Sequence, residues 1–296
     1  MYYHSNTILF HNGKWLKAGE AVTDLFSQTL HYGNGAFEGI RAYETDGGTL
    51  VFKAKEHYER LHYSARKMHI KLDYSVEELI KITYELLEKN QFKNAYIRPL
   101  VYLGANMKLT PTADVHVLIT AWEWERYLGN ELLDVMISSY KKPSPEALPV
   151  AAKITGHYTN SILATSEAKN KGYDEALLLD EKGYVAEGPG ANIFFEKDEV
   201  LYTPPADNIM AGITRNTIIE YARELGYEVK EVFFKPEDLF EADAAFFTGT
   251  ATEVAGIHSV QGHTMQANWP DTIAYSLHLM YRQRVTHAEY YNFTLV

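Results

Sequence analysis

The alternation of apolar and polar positions marks most elements of the chain before any chemistry is considered. Thr7–Phe10 and Trp15–Leu16 flank Asn12-Gly13, a pair that takes the positive φ of a tight primed turn, so the start reads as a β-hairpin. Phe37–Tyr43 and Thr49–Phe52 read as strands separated by Asp46-Gly47-Gly48. Ala54–Ile70 has helical composition. Ser75–Asn90 is a second helix, opened by a Ser75/Glu78 capping-box pattern and given an apolar face by Ile80, Ile82, Leu86 and Leu87. Ala95–Leu103 and Val115–Trp122 are β-rich. A strand-heavy sheet with two helices suggests an α+β domain.

Trp124–Asn130 breaks the periodicity and reads as a linker. Residues 1–122 would then form a small N-terminal domain, 123–132 an interdomain loop and 133–296 a larger domain. Leu132–Ser138 begins a second series of strands, and the three prolines of Lys141–Pro149 make that stretch a loop. Tyr158–Lys171 is helical and ends at Gly172. Glu175–Leu179, Tyr184–Ala186 and Ile193–Phe195 are short strands. Ile213–Leu225 is the clearest helix, closed by Gly226 at its C′ position. Tyr227–Phe234, Ala244–Phe247 and Glu253–Val260 read as strands, and Asp271–Arg284 as a closing helix. Helices and strands do not alternate regularly, which argues against a doubly wound parallel sheet.

Composition narrows the class. The 296 residues are 46% hydrophobic and 23% charged, as in a soluble globular enzyme. There is no cysteine, so disulfides, thiolate metal sites and a thiol nucleophile are excluded. A net charge of −11 without a basic run disfavours nucleic-acid binding. No signal peptide is recognised, and no apolar run approaches the ~20 residues that span a bilayer, so the expected location is cytoplasmic. Gly33, Gly35 and Gly39 imitate a dinucleotide loop, but the last glycine comes one place late. P-loop, G-x-S-x-G and H-E-x-x-H motifs are missing. The 12 histidines are scattered, and no metal site is expected.

Two segments could hold an anion. Gly212-Ile213-Thr214-Arg215 leads into the strongest helix, where free N–H groups and the positive end of the dipole would meet a ligand; on pattern alone Thr214 reads first as a simple cap. Thr248-Gly249-Thr250-Ala251-Thr252-Glu253 follows a strand and offers amides and hydroxyls in a small space, or is an ordinary turn. Lys153 sits among apolar residues, where burial would favour a neutral amine able to condense with a carbonyl; it could also lie on an exposed strand face. Glu187, in a Gly-rich turn, is by default a turn carboxylate.

Taken together, these segments carry a resemblance. Tyr32-Gly-Asn-Gly-Ala-Phe-Glu-Gly-Ile-Arg-Ala-Tyr43, Ala95-Tyr-Ile-Arg-Pro-Leu100, the Lys153 segment, Ser166-Glu-Ala-Lys-Asn-Lys-Gly-Tyr173, Glu187–Asn192, Thr203-Pro-Pro, Gly212-Ile-Thr-Arg215 and Thr248-Gly-Thr-Ala251 occur in this order. The chain resembles the class IV (fold-type IV) aminotransferases dependent on pyridoxal 5'-phosphate, and most resembles their branched-chain amino acid group. The resemblance implies a two-domain α+β enzyme, with a small α/β N-terminal domain and a larger one built on a β-barrel-like core with helices. It implies transfer of the amino group between L-leucine, L-isoleucine or L-valine and 2-oxoglutarate.

The roles it implies are specific. Lys153 would tether the cofactor and then move the Cα proton. Glu187 would pair with the pyridine nitrogen and Tyr158 with the phenolic oxygen. Arg60, Ile213, Thr214 and Thr250 would hold the phosphate. Tyr96, Thr250 and Ala251 would meet the substrate α-carboxylate, and Phe37, Trp124 and Tyr127 would wall an apolar pocket. Arg98 would reach the distal carboxylate of glutamate, and Tyr32 would enter the pocket of a partner subunit, in a homodimer or larger homo-oligomer. Thr155 and His157 depart from the small residues and Asn commonest before the Tyr. The same fold also serves D-amino acid and (R)-amine transaminases and aminodeoxychorismate lyase, and a non-catalytic phosphate-ligand binder would keep Lys153 as a structural residue.

Overall fold

A computed structural model of the chain describes residues 2–124 and 132–287. They form two compact units, one of residues 2–124, 152–157 and 284–287, the other of 132–151 and 158–283. Tyr127 and most of the expected linker lie outside the described residues. Lys153 belongs to the first unit, although the residues on either side of its segment belong to the second.

The first unit begins with the expected hairpin, β1 (Ile8–His11) paired antiparallel with β2 (Lys14–Lys17), and Asn12 and Gly13 have φ of 49° and 80°. A short helix α1 (Gln28–Tyr32), β3 (Ala36–Phe37), β4 (Ile40–Thr45) and β5 (Gly48–Val51) follow. The helices α2 (Ala54–Lys67) and α3 (Val76–Asn90) come next, and the Ser75/Glu78 capping box at α3 is closed in both directions. The long strands β6 (Ala95–Leu103) and β7 (Val115–Glu123) complete a seven-stranded sheet of order β2-β1-β7-β6-β4-β5, with β3 paired to β6.

Its core is legible in the period of β6. Ala95, Ile97, Val101 and Leu103 pack with Tyr58, Leu61 and Ala65 of α2 and Leu79 and Leu86 of α3. The alternation of a strand puts Tyr96 and Arg98 on the other face. The single strand expected over Phe37–Tyr43 is broken. Glu38 turns into the interior, and a Cβ at Gly39 would fall 1.9 Å from Tyr96 Oη.

In the second unit β8 (Leu133–Lys141) precedes the proline loop, and α4 (Tyr158–Asn170) leads into β9 (Glu175–Leu179), β10 (Val185–Glu187), β11 (Asn192–Lys197) and β12 (Val200–Thr203). Then come α5 (Ile213–Glu224), β13 (Glu228–Glu231), α6 (Pro236–Phe240), β14 (Ala244–Gly249), β15 (Glu253–Val260), β16 (His263–Thr264) and α7 (Ile273–Thr286). Nine strands form a mixed sheet in the order β10-β9-β8-β15-β14-β11-β12-β13, with β16 on β15, and the sheet curls as a half-barrel. Leu177, Ile193, Phe195, Phe247 and Ile257 are among the residues of its core. The strand expected over Tyr227–Phe234 shortens to Glu228–Glu231. Phe234 instead packs into the core beside α6, which Pro236 opens. Among the described residues no helix is long and apolar enough to cross a membrane.

Candidate active site

Lys153 is held by main-chain bonds on both sides. Its segment lies against β3 almost as an extra strand: Ala36 and Ile154 form an antiparallel bridge. Phe37 N–H donates to the Lys153 carbonyl at 3.1 Å, Thr155 N–H to Gly35 at 2.9 Å, and Gly156 N–H to Gly33 at 2.7 Å. The Lys153 amide donates to Oγ of Ser64, buried on α2, at 2.9 Å. The Thr155 hydroxyl donates to the Gly33 carbonyl at 2.6 Å and accepts from the Gly35 amide at 3.0 Å. Thr155 therefore works as a clasp between Gly33 and Gly35. Gly33 has φ of 68°, and a Cβ there would lie 2.8 Å from Gly156 Cα, so both conformation and space demand glycine.

Around this lysine the first unit buries a charge cluster. Glu38 is fully buried and takes Arg60 with two bonds, Nε to Oε1 at 2.7 Å and Nη2 to Oε2 at 2.8 Å. His57 Nδ1, also buried, lies 2.8 Å from the same Oε2. Burial works against a charged Glu38, but the Arg60 guanidinium overrides it and holds the carboxyl far below the usual range. Burial drives the His57 imidazole toward its neutral form. The Lys153 amine is pushed down to about 8, by burial first and by the Arg60 charge second. Arg60 would read from sequence as one residue of a charged surface helix; the ion pair instead fixes its guanidinium inside.

Aromatic rings line the neighbouring surface of this unit. Lys153 Nζ lies 5.0 Å from the Phe37 ring centre, and the Arg98 guanidinium lies 4.8 Å from the same ring. Arg98 Nη2 donates to Tyr96 Oη at 3.4 Å. The Tyr96 ring sits 5.2 Å from Trp122 and 5.0 Å from Trp124. Phe37, Tyr96, Arg98 and Trp124 are thus brought together, and Trp122 joins them. Tyr32 stands apart from this group: it ends α1, is 47% exposed, and donates to the Met107 carbonyl at 3.3 Å.

The second unit holds Glu187 at the end of β10, 5% exposed. Its Oε1 pairs with Lys142 Nζ, and its Oε2 accepts from Asn192 Nδ2 at 3.0 Å. Helix α5 starts from Gly212 as N-cap without any side-chain cap, so Thr214 is not the capping residue. It lies inside the first turn and is buried. The ladder of α5 opens with Asn216 N–H to Gly212 C=O, which leaves the amides of 213–215 ahead of it. Thr250 and Ala251 lie in the tight turn joining β14 to β15, where Gly249 pairs with Glu253. The preceding Thr248 Oγ1 is buried with no hydrogen-bond partner among the described residues. Tyr158 is the first residue of α4, half-buried.

Glu38, His57, Ser64 and Lys142 carry no sequence signal, because pairs such as Glu38 with Arg60 or Lys142 with Glu187 stand too far apart in the chain for any local pattern. Asn192 lay inside a recognised segment but had no assigned role. Among the described residues no group of three or more His, Asp or Glu could hold a metal ion.

The family model described as amino-transferase class IV matches residues 35–260, and the chain belongs to that family. The branched-chain-amino-acid aminotransferase of Escherichia coli (strain K12) is 41% identical over 262 residues, covering 86% of this chain and 85% of that protein. The crystal structure of Escherichia coli branched-chain amino acid aminotransferase superposes with a TM-score of 0.92 at 36% identity, covering 98% of this chain and 97% of that one. The branched-chain amino acid aminotransferase from Thermobaculum terrenum, solved in its PLP (holo) form, gives a TM-score of 0.90 at 32% identity over 95% of each chain.

Proposed function

We propose that this protein is a branched-chain amino acid aminotransferase, exchanging the amino group between L-leucine, L-isoleucine or L-valine and 2-oxoglutarate with pyridoxal 5'-phosphate as cofactor. The observation that carries the reading is Lys153: an amine pushed down to about 8 and held by its own backbone against β3 and α2.

The residues fit the cofactor. A phosphorylated pyridine aldehyde needs an amine that loses its proton more readily than an ordinary lysine, anion donors for its phosphate and a carboxylate for its ring nitrogen. Lys153 is the amine. Arg60 in the first unit and, in the second, the amides at Ile213 and Thr214 and the Thr250 turn would be the donors, with the buried hydroxyl of Thr248 close to that turn in sequence. Glu187 is the carboxylate. When bound, the cofactor supplies an electron sink for the carbanion formed at the substrate Cα.

The protein's share is positional and acid–base. Lys153 would hold the aldehyde-bearing cofactor and, once displaced by substrate, would serve as the base that moves the substrate Cα proton. Glu187 would keep a proton on the ring nitrogen. Tyr158 would donate to the phenolic oxygen. Tyr96 of the first unit and the amides at Thr250 and Ala251 of the second would each serve the α-carboxylate, and Phe37 and Trp124 would wall an aliphatic side chain, a role also proposed for Tyr127 outside the described residues. Arg98, over the Phe37 ring, would meet the second carboxylate of glutamate and would be left toward water when leucine is bound. Residues 1–122 and 133–296 would act as small and large domains joined by 123–132.

An exposed apolar patch supports a homodimer. Leu25, Phe26, Leu30, Met107 and Leu109 are each at least half exposed. The two segments that carry them are tied together by Asn106 N–H to the Phe26 carbonyl at 3.1 Å. Such a patch on a monomer marks a contact surface, and Tyr32 stands at its edge.

A panel of amino donors tests the reading: L-leucine, L-isoleucine and L-valine with 2-oxoglutarate, beside D-alanine and (R)-phenylethylamine. Turnover of the three L-amino acids is expected. Reaction only with the D-amino acid or the amine would overturn it.

A further inference from the structure

Asn192 is the point where three segments of the second unit meet. It opens β11 and is 3% exposed. Its Nδ2 donates to Glu187 Oε2 at 3.0 Å and to the Met210 carbonyl at 2.9 Å, which uses both amide hydrogens. Met210 comes just before Gly212, the N-cap of α5. A Cβ on Gly212 would lie 2.1 Å from Asn192 Oδ1. With φ of −65° and ψ of 139° at Gly212, the backbone there suits any residue, so the need for glycine is steric and is set by Asn192. On its other side Asn192 is in register with Thr248 of β14, which leads into the Thr250-Ala251 turn.

We infer that Asn192 is a positioning residue: its carboxamide yokes the Glu187 carboxylate to the backbone entering α5, holding the group for a ring nitrogen and the amides for a phosphate at one fixed spacing. The inference rests on the roles proposed above for Glu187 and α5. A carboxylate turns freely about its last bond, and the Lys142 ammonium, a compact charge on a flexible stem, anchors it without orienting it. An amide with two directional N–H groups does orient it. The cofactor is rigid between its ring nitrogen and its phosphate-bearing carbon, so anchors that move independently would lose affinity through the cost of ordering them on binding.

The test measures equilibrium binding of pyridoxal 5'-phosphate, and of pyridoxal without the phosphate, to the full chain freed of cofactor, by absorbance. Asn192→Ala is expected to weaken pyridoxal 5'-phosphate about tenfold or more, the scale of one hydrogen bond to a charged group, and to weaken pyridoxal less. Combined with Glu187→Gln, its effect should be clearly less than additive. Gly212→Ala should weaken the cofactor in the wild-type background by pushing the carboxamide off its acceptors, and Asn192→Ala should relieve that loss. General damage to the fold would not produce this relief. Additive effects with no relief overturn the role of Asn192 while leaving the proposed function standing. A Glu187→Gln variant with unchanged affinity and spectrum would instead overturn the reading of Glu187 itself. Should Asn192→Ala not fold, Asn192→Ser, smaller than Asn and leaving room beside residue 212, carries the same comparison.

Discussion

Phe37 and Lys153 hold each other twice: the Phe37 amide donates to the Lys153 carbonyl at 3.1 Å, and the Lys153 ammonium stands 5.0 Å from the centre of the Phe37 ring. Backbone and side chain of the lysine are thus set by one residue that also offers its ring as a wall of the site. Replacing Lys153 by Ala should lower transamination about a thousandfold or more, the scale of a lost proton-transfer group. Borohydride should fix cofactor to the wild-type protein and not to the variant. Retained turnover would show that another base acts.

The depressed amine of Lys153 gives a pH signature. In cofactor-free protein its reaction with an amine-directed reagent should rise with a midpoint near about 8, well below the ~10.4 of ordinary lysines. Because the folded state binds this proton more weakly than the unfolded chain, stability from this group rises with pH between those two values. Lys153→Met should remove that rise from urea denaturation curves recorded across the window.

Glu38 should matter for folding. Glu38→Ala leaves Arg60 and His57 without their shared carboxylate, a loss of about 3–5 kcal/mol for a buried ion pair with one partner removed. Since the folded carboxyl is depressed, the stabilisation is complete above the unfolded value of ~4.3 and is lost progressively as pH falls below it. Chemical denaturation at about pH 7 and about pH 4, either side of that value, would measure both.

Arg98 should separate the two substrate classes. Arg98→Met is expected to cut kcat/KM for 2-oxoglutarate about 10- to 100-fold, the worth of a charge-assisted hydrogen bond. The value for L-leucine should change far less, and equal losses for both would remove Arg98 from distal-carboxylate recognition.

Gly39→Ala tests the packing behind Tyr96. A methyl group there would fall 1.9 Å from Tyr96 Oη, so the tyrosine must move away from its present place. A raised KM for amino and oxo acids alike, with cofactor absorbance unchanged, is the expected result. An unchanged KM would mean that Tyr96 does not meet the common α-carboxylate.

Local features were legible in the chain itself. Asn12-Gly13 dictated the first hairpin because their left-handed backbone admits few other pairs, Ser75 and Glu78 placed the start of α3, and the period of β6 separated Ile97 and Val101 in the core from Tyr96 and Arg98. The order of recognised segments carried the family and the likeness of its site residues. Which charges meet was decided by packing in three dimensions. Glu38 lies within an apparent strand and Arg60 within an apparently exposed helix, and only the packing that buries Glu38 against Arg60 makes an ion pair of them. Likewise Lys142 reaches Glu187, and Asn192 joins Glu187 to the start of α5. No period or spacing encodes such meetings, because they arise from strands and helices distant in the chain being packed side by side, where an unpaired charge is too costly to keep.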